Sequence, residues 1–406
     1  GGQSPQSLVN TTAADIQAAR LDLAILAGGE ARRTRVRARK AGTAIDWPTA
    51  PDTQVPRSIG EDLTLNHPYE LERGVMMPVQ IYPIFETAIR AAAQRSPDEH
   101  LRRISELWSR FSAVAAGNPY AWSRQARSAE EIRTPSPANR MVGLPYTKYM
   151  NSNNDVDMAA ALVMCSVAKA ESLGVPRDRW VFIHAGTDCH EHPFVSHRWS
   201  FAETPAIERG GRRVLELAGC GVDDIALIDL YSCFPSAVEL GAQSLGLALD
   251  RQLTLTGGLA FAGGPWNNYV MHAIATMVTA LRDADGARGL VWANGGYATK
   301  HSFGVYSDEP PDRGFAHDAP QAEIDALPRR QLAEAGDAAG EATIEAYTVM
   351  HTREGDPETV IATCLLGDGR RAWATSRDSA LAAAMCHGEW VGRGVGLDDA
   401  GDLHVD

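Results

Sequence analysis

The stretch Gly257-Gly258-Leu259-Ala260-Phe261-Ala262-Gly263-Gly264-Pro265 decides the fold class, because it is a glycine-rich turn between alternating strands and helices. An uninterrupted apolar strand is predicted before it at 225–230, followed by a helix at 235–247. The turn itself leads into a helix predicted at 268–281. Two more apolar strands are predicted at 290–293 and 303–306. Continuous apolar strands that alternate with helices indicate an α/β sheet covered on both faces.

The N-terminal part of the chain shows the same alternation. Apolar runs predict a buried strand at 21–26, ending at a tight turn at Gly28-Gly29, and further strands at 159–164 and 180–185. Helices are predicted at 6–20, 78–95, 97–117 and 201–218. Residues 32–56 are basic and then rich in proline, which predicts a surface loop. The expected halves of the α/β body are residues 1–165 and 166–309.

A change in composition at Pro310-Pro311 marks the end of this body. Residues 310–340 are rich in Asp, Glu, Ala and Pro, and we expect a linker there. Five short strands are then predicted at 344–350, 359–366, 371–375, 390–394 and 403–405, with a helix at 379–386 after the third. This pattern predicts a small OB-like β-barrel over residues 341–406. An irregular α+β appendage is the alternative.

Bulk composition excludes several function classes. The chain has 406 residues and a net charge of −13, which argues against nucleic-acid or anionic-membrane binding. No apolar run is long enough to predict a membrane span. The six cysteines include no Cys-x-x-Cys pair, as is typical of a reduced, cytoplasmic protein. The sequence opens at Gly1-Gly2-Gln3 directly before a helix, so we expect an upstream segment that this sequence omits.

Four patches, in order, resemble thiolases. They are Gly1-Gly2-Gln3-Ser4-Pro5-Gln6-Ser7-Leu8 with 23–31, Asn118-Pro119-Tyr120-Ala121 with 157–161, Tyr231-Ser232-Cys233-Phe234, and 257–265 with Asn294-Gly295-Gly296-Tyr297. Over residues 1 to about 306 the chain resembles the thiolase superfamily, nearest the sterol-carrier-type and thiolase-like type 1 proteins. The resemblance implies a layered αβαβα thiolase fold, an acetyl-CoA acetyltransferase ancestry and a CoA ester as substrate, with no other cofactor.

The side chains that thiolases use are replaced. By the resemblance, Ser4 stands at the position of the nucleophilic Cys, Gly264 at that of the activating His, and Ala293 at that of the second Cys. A serine hydroxyl has no accessible anion near neutral pH without a strong base. We therefore expect no thiolase activity.

Other polar residues remain at the same motifs: Tyr231, Ser232, Asn267, Asn268, Tyr297, Lys300 and His301. Tyr231 stands where thiolases place an Asn or His that holds a catalytic water or an oxyanion. Thiolase-fold aldolases that cleave CoA esters use tyrosines as acid and base with an OB-fold partner. Tyr231 and Tyr297 are thus candidate catalytic residues of a retro-aldolase. Alternatively, they are hydrogen-bonded core tyrosines of a non-catalytic scaffold.

Three further motifs contain residue types that bind metals, phosphates or nucleic acids. The run Cys189-His190-Glu191-His192 contains metal-ligand residue types, but it fits a surface loop equally well. The basic cluster at 32–40 can pair with CoA phosphates or be a solvated segment. The predicted barrel has one basic pair, Arg370-Arg371, which is too little charge for a nucleic-acid groove. We expect no metal and no nucleic-acid partner, and a monomer or a homodimer.

Overall fold

The computed structural model describes residues 1–48, 51, 58–334 and 336–405. Its α-helices are α1 (Ser4–Gln17), α2 (Arg32–Lys40), α3 (Pro68–Glu72), α4 (Pro78–Ala92), α5 (Pro97–Gly117), α6 (Ala129–Arg133), α7 (Val167–Ser172), α8 (Pro205–Leu217), α9 (Pro235–Ser244), α10 (Gly258–Phe261), α11 (Tyr269–Leu281), α12 (Gln321–Asp325) and α13 (Ser379–Met385). Its strands are β1 (Leu23–Ala31), β2 (Met141–Gly143), β3 (Tyr146–Thr147), β4 (Asp157–Cys165), β5 (Phe182–His190), β6 (Ile225–Leu230), β7 (Arg288–Gly295), β8 (Lys300–Ser307), β9 (Ala316–Asp318), β10 (Gly340–His351), β11 (Pro357–Leu366), β12 (Arg371–Ser376), β13 (Gly394–Leu397) and β14 (Leu403–His404).

A five-stranded mixed sheet forms the centre of the α/β body, in the order β6-β7-β8-β5-β9. Strands β7 and β8 are buried along almost their whole length, which agrees with the apolar runs predicted inside them at 290–293 and 303–306. Glycines let the flanking helices approach closely. A Cβ on Gly304 would lie 2.4 Å from Gln6 of α1, and one on Gly210 of α8 would lie 2.7 Å from the ring of Phe303. Because Phe303 and Gly304 are consecutive strand residues, α1 and α8 cover opposite faces of the sheet.

A second, two-stranded sheet pairs β1 with β4 in antiparallel register, from Leu23 opposite Cys165 to Ala31 opposite Asp157. The predicted buried strand at 21–26 is corrected in two respects. It continues through Gly28-Gly29 instead of turning there, and it is only half-buried. Ile25 is 67% and Val163 is 68% exposed, so one face of this pair is apolar and open.

The C-terminal domain is a β-sheet in the order β12-β11-β10-β13-β14. In the chain, α13 lies between β12 and β13, the third and fourth strands of this domain. A parallel bridge between Thr375 and Asp402 places β14 beside β12, which nearly closes the sheet. The fourth strand lies at Gly394–Leu397, later than the predicted 390–394. The short strand β2 joins the sheet through Gly143, opposite Met350. Residue 406 of the predicted barrel lies outside the described residues.

The segment 310–340, predicted as a linker, contributes regular structure to the body. Its strand β9 pairs in parallel with β5 at the edge of the central sheet, and α12 follows. The C-terminal domain packs directly on the body. The guanidinium of the fully buried Arg371 donates to the carbonyl oxygens of Ser196 (2.6 Å) and Arg198 (2.5 Å). The indole of Trp373 donates to Oγ of Ser196 at 2.8 Å.

The predicted surface loop at 32–56 is wrong for its first nine residues, which form α2. Part of that loop, at 49–50 and 52–57, lies outside the described residues. The helix predicted at 201–218 begins instead at Pro205, where a proline is well placed because no intrahelical N–H is needed there. Among the helices described, none has the length and apolar character needed to cross a membrane.

Candidate functional site

The turn before α1 lies against Asn294 of β7 and against Tyr231, which directly follows β6. Gly2 is buried, and a Cβ placed on it would lie 2.6 Å from Oη of Tyr231 and 2.2 Å from the carbonyl oxygen of Asn294. Only a glycine fits this position without displacing backbone. Ser4 is the first residue of α1 and is exposed, and its Oγ lies 2.9 Å from the backbone nitrogen of Gly1. The structure thus joins three of the four thiolase-like patches.

Tyr231 and Cys233 follow β6 and lie inside the protein. The backbone N–H of Tyr231 donates to the carbonyl of Trp292 at 3.1 Å, which fixes the segment on β7. The Tyr231 ring meets that of Tyr269 edge-on at 5.6 Å. Burial raises the pKa of Tyr231, and the nearby Cys233 raises it further. Burial also raises the pKa of the Cys233 thiol to about 12. Both groups are therefore neutral near pH 7.

Tyr82 of α4 is a central residue of the site that the sequence interpretation did not identify. Its Oη accepts hydrogen bonds from Nδ2 of Asn294 and from the backbone N–H of Ala298, both at 2.9 Å. Its ring stacks on Phe234 with a centroid distance of 4.5 Å. Tyr82 lies outside all four thiolase-like patches, so no motif could have indicated it. Asn294 belongs to the fourth patch but was not selected as a site residue.

Gly264 does not contact Tyr231 or Gly2 in the way described above but lies beside the loop at 152–154. Its N–H donates to the carbonyl of Asn153 at 2.9 Å, and a Cβ placed on it would lie 2.8 Å from Oδ1 of Asn154. This loop reaches the Tyr231 segment through Ser152, whose Oγ donates to the carbonyl of Cys233 at 3.0 Å. Gly264 is thus connected to the site through residues 152–154. Asn267, two residues after Pro265, is exposed, and Asn268 is buried.

Tyr297 and His301 face other parts of the fold. Oη of Tyr297 lies 2.6 Å from the carbonyl oxygen of Met76 and 3.1 Å from Oδ1 of Asn66. His301 is buried, and its Nδ1 accepts from the indole N–H of Trp292 at 3.3 Å. Burial, together with the charge of Arg198, lowers the pKa of His301 to about 3. His301 is therefore a neutral acceptor and not an activated base near pH 7.

The chemistry available at this site differs from that of a thiol nucleophile. Within the part of the chain that the structure describes, no imidazole is hydrogen-bonded to Ser4, Tyr231 or Cys233. Without such a base, neither the exposed hydroxyl nor the buried thiol becomes an anion at neutral pH. The phenol of Tyr231 remains a hydrogen-bond donor, because it is protonated.

The candidate metal run 189–192 does not assemble ligands. Sγ of Cys189 donates to the carbonyl of Ala206 at 3.3 Å, and the Glu191 carboxylate accepts from the N–H of the same residue at 2.7 Å. His190 Nδ1 lies 2.7 Å from the carbonyl of Glu191. Cys189, His190 and Glu191 are thus occupied by backbone contacts, as expected of a structural segment, whereas both ring nitrogens of His192 are buried without a hydrogen-bond partner of normal geometry among the described residues.

A buried acid–imidazole cluster, which no sequence motif indicated, consists of Glu86, His100 and Glu239 from α4, α5 and α9. Nε2 of His100 lies 2.5 Å from Glu86, whose other oxygen accepts from Tyr146. Burial raises the pKa of both carboxyls and lowers that of His100 to about 4. Burial thus works against the charged form of each of the three groups.

Comparison with known proteins gives consistent results at both ends of the chain. Residues 320–402 match the family model "Thiolase-like protein type 1 additional C-terminal domain". The whole chain superposes on the crystal structure of a monomeric SCP2-thiolase-like protein type 1 from Mycobacterium smegmatis with a TM-score of 0.85 and 34% identity. The match covers 100% of this chain and 82% of that one.

Two more distant similarities involve thiolases themselves. The dimeric peroxisomal thiolase of Saccharomyces cerevisiae matches with a TM-score of 0.52 and 14% identity, over 76% of this chain and 75% of that chain, which shows a shared fold. The benzoylsuccinyl-CoA thiolase subunit BbsB of Thauera aromatica is 28% identical over 133 residues. That match spans 33% of this chain and 32% of the curated relative, so it covers only a part of each. The predicted thiolase fold with an additional C-terminal β-sheet domain is confirmed.

Proposed function

Since the chain belongs to the SCP2-thiolase-like protein type 1 family, we propose that it binds an acyl-CoA-like thioester and does not carry out thiolase chemistry. One observation carries this proposal: the Gly2–Tyr231 contact puts a neutral phenol, and no activated thiol, at the motifs where thiolases react. A thioester carbonyl can accept a hydrogen bond from that phenol. No acyl group can be transferred to a side chain without a nucleophile.

The CoA-ester class is supported by the relatives. One relative bears the name of a CoA thiolase subunit, although the match to it is partial. The acetyl-CoA acetyltransferase ancestry that the resemblance implied remains part of this proposal, and we add to it a role in lipid metabolism.

The retro-aldolase variant needs an acid and a base that face one substrate. The hydroxyl of Tyr297 is engaged with Met76 and Asn66 on the segment before α4. Tyr231 has its hydroxyl beside Gly2. Because the Tyr297 hydroxyl is engaged elsewhere, a binding role for Tyr231 is favoured over an acid–base pair of Tyr231 and Tyr297.

We also propose that the C-terminal domain is an OB-like barrel that serves as a packing module for the body. The strand order, the parallel bridge between Thr375 and Asp402, and the helix between the third and fourth strands support this assignment. The buried Arg371 and Trp373 contacts with residues 196–198 support the packing role. The six free cysteines support a reducing, cytoplasmic environment. The solved relative, described as monomeric, supports a monomer.

Thermal unfolding with added acetyl-CoA or acetoacetyl-CoA tests the proposed function. A ligand that binds the native state raises the melting temperature in proportion to the logarithm of its concentration. We expect such a shift for the wild-type protein, and about tenfold weaker binding for Tyr231→Phe, which lacks the phenolic donor. Tyr120→Phe is the matched control, because Tyr120 is 80% exposed. No shift with either ester at millimolar concentration would contradict the proposal and favour a non-catalytic scaffold.

A further inference from the structure

An open cleft of about 530 Å³ lies between α2 and the turn that follows Gly264-Pro265. Arg32, Arg35 and Arg39 line its α2 side, together with the acidic residue Glu30 at the end of β1, and Trp266 lines the other side. The three arginines are spaced i, i+3 and i+7, so they project from one face of the helix. The cleft therefore has a cationic wall opposite an aromatic one.

The positive charge at the start of α2 does not serve to stabilise the helix itself. Its sequence Arg-Arg-Thr-Arg-Val-Arg-Ala-Arg-Lys contains no buried residue and no acidic residue in the first turn. Arg32 and Arg33 at the N-terminus oppose the helix dipole. Within the described residues, Arg32 and Arg39 form no ion pair, and Arg35 has one loose pair with Glu30 at 3.8 Å. In a chain with a net charge of −13, this face is free to bind an anion.

Trp266 is held in an unusual position. Its φ is +46°, in the left-handed region that disfavours residues with a side chain, and its side chain is 48% exposed. The guanidinium carbon of Arg32 lies 5.9 Å from the centre of the Trp266 ring. A large aromatic ring kept in a strained backbone conformation, and half in solvent, indicates a binding role.

Backbone contacts connect the cleft to the candidate site. Nδ2 of Asn268 donates to the carbonyl of Gly28 at 2.6 Å, which fixes the turn on β1 just before α2. The N–H of Trp266 donates to the carbonyl of Gly264 at 2.7 Å. Gly264 in turn adjoins residues 152–154, which contact the Tyr231 segment through Cys233. A ligand in the cleft thus lies at the edge of the same structural unit.

We propose that this cleft binds the phosphorylated nucleotide end of a CoA ester. Arg32, Arg35 and Arg39 bind the phosphates, and the adenine ring stacks on Trp266. Guanidinium groups pair with phosphate oxygens in bidentate fashion, and an aromatic face suits a purine. This assignment rests on the proposed function for the identity of the ligand, whereas the anion and the purine follow from the cleft itself.

Isothermal titration calorimetry with adenosine 3′,5′-bisphosphate, a fragment that lacks the thioester arm, tests the cleft directly. We expect binding to the wild-type protein that weakens with added salt, because the contacts are between charges. The double variant Arg32→Ala/Arg39→Ala and the single variant Trp266→Ala should each lose about tenfold or more in affinity. Arg37→Ala is the matched control, because it removes an exposed positive charge from the same helix outside the cleft.

Parallel titrations with acetyl-CoA and with S-acetyl-N-acetylcysteamine, which has no nucleotide, separate the two proposals. If acetyl-CoA binds the wild-type protein and the double variant equally, the cleft assignment is wrong while the proposed function stands. If adenosine 3′,5′-bisphosphate binds but acetyl-CoA does not, the cleft accepts a phosphorylated purine nucleotide, and its assignment to a CoA ester is wrong. Equal losses in the double variant and in Arg37→Ala would indicate a general charge effect and overturn the cleft assignment.

Discussion

Gly2 lies so close to Tyr231 that a single methyl group on Gly2 would approach within 2.6 Å of the phenolic oxygen. The same methyl group would lie 2.2 Å from the backbone oxygen of Asn294, which cannot rotate away as a side chain can. The turn before α1 and the ends of β6 and β7 are therefore fitted to one another at this point. The position of Tyr231 relative to Ser4 depends on this glycine.

Gly2→Ala should consequently destabilise the protein by about 1–3 kcal/mol, the usual cost of overpacking a buried contact. Gly117→Ala is a suitable control, because nothing lies within 4 Å of a Cβ at this helix end. That control should be neutral or stabilising by about 0.4–1 kcal/mol. Urea unfolding of both variants provides the measurement. Equal stability of the two variants would mean that the turn does not pack as described.

Wild-type protein should show no thiolysis of acetoacetyl-CoA, and Ser4→Cys alone should not restore it. A cysteine at this position would have no imidazole to lower the pKa of its thiol, because no imidazole is hydrogen-bonded to Ser4 within the described residues. The loss of acetoacetyl-CoA absorbance in the presence of CoA measures the reaction. Turnover by the wild-type protein that clearly exceeds the turnover of the Tyr231→Ala variant would refute this prediction.

The buried thiol of Cys233 should resist alkylation. With a pKa of about 12, about one part in 10⁵ of this thiol is ionised at pH 7, and only the thiolate reacts. Cys165 is partly exposed and serves as an internal reference. Treatment with iodoacetamide at about pH 8, followed by peptide mass spectrometry, should label Cys165 and leave Cys233 free. Labelling of both at equal rates in the folded protein would contradict the burial and the raised pKa.

Much of the fold followed from the sequence, for a reason visible in the central sheet. Strands β7 and β8 are buried along almost their whole length, and the apolar runs inside them, 290–293 and 303–306, were easy to recognise. Strand β1 is equally apolar but half-exposed, because an apolar run does not reveal what covers it. The helix α2 was missed because it has no apolar periodicity. Arginine and alanine favour helix, and the Asp157 carboxylate accepts from the N–H of Thr34 at 3.0 Å near the start of α2.

The candidate site was predicted only in part. Motif order identified the turns that carry Ser4, Tyr231 and Gly264, because sequence patches define chain segments. It did not identify Tyr82, whose hydrogen bond to Asn294 joins residues separated by 212 positions. The direction of the Tyr297 hydroxyl, towards Met76, depends on packing that no local pattern encodes.

His301 should make the protein sensitive to mild acid. Its pKa in the folded state, about 3, lies below the ordinary value of 6.5, so its contribution to stability is complete above pH 6.5 and is lost as the pH falls towards 3. Between about pH 7.5 and about pH 5 this single group costs about 2 kcal/mol of folding free energy. His301→Gln, whose amide oxygen can still accept from Trp292, should lose about 2 kcal/mol less over that interval. The exposed His387→Gln is the control, and an identical pH dependence in both variants would exclude His301 as the cause.

Arg371 should be the residue that most strongly attaches the C-terminal domain to the body. Its guanidinium is fully buried, donates to Glu345 at 2.7 Å and 2.6 Å, and lies 4.2 Å over the ring of Phe201. Arg371→Ala leaves the Glu345 carboxylate and two backbone carbonyls without a donor, and we expect a loss of about 3–5 kcal/mol in unfolding free energy. The neighbouring Arg370 pairs with Asp368 at the surface, so Arg370→Ala should cost about 1 kcal/mol or less.

The double variant Arg371→Met/Glu345→Met separates the loss of packing from the unpaired charge. Removing both charges eliminates the buried unpaired carboxylate, so part of the stability lost in Arg371→Ala should return. Urea unfolding followed by tryptophan fluorescence suits this comparison, because Trp373 lies at the interface and donates to Ser196. If Arg371→Ala and Arg370→Ala are equally stable, the contact between the two domains does not depend on this arginine. A double variant no more stable than Arg371→Ala would instead show that the two carbonyl contacts to residues 196–198, and not the ion pair, hold the domain in place.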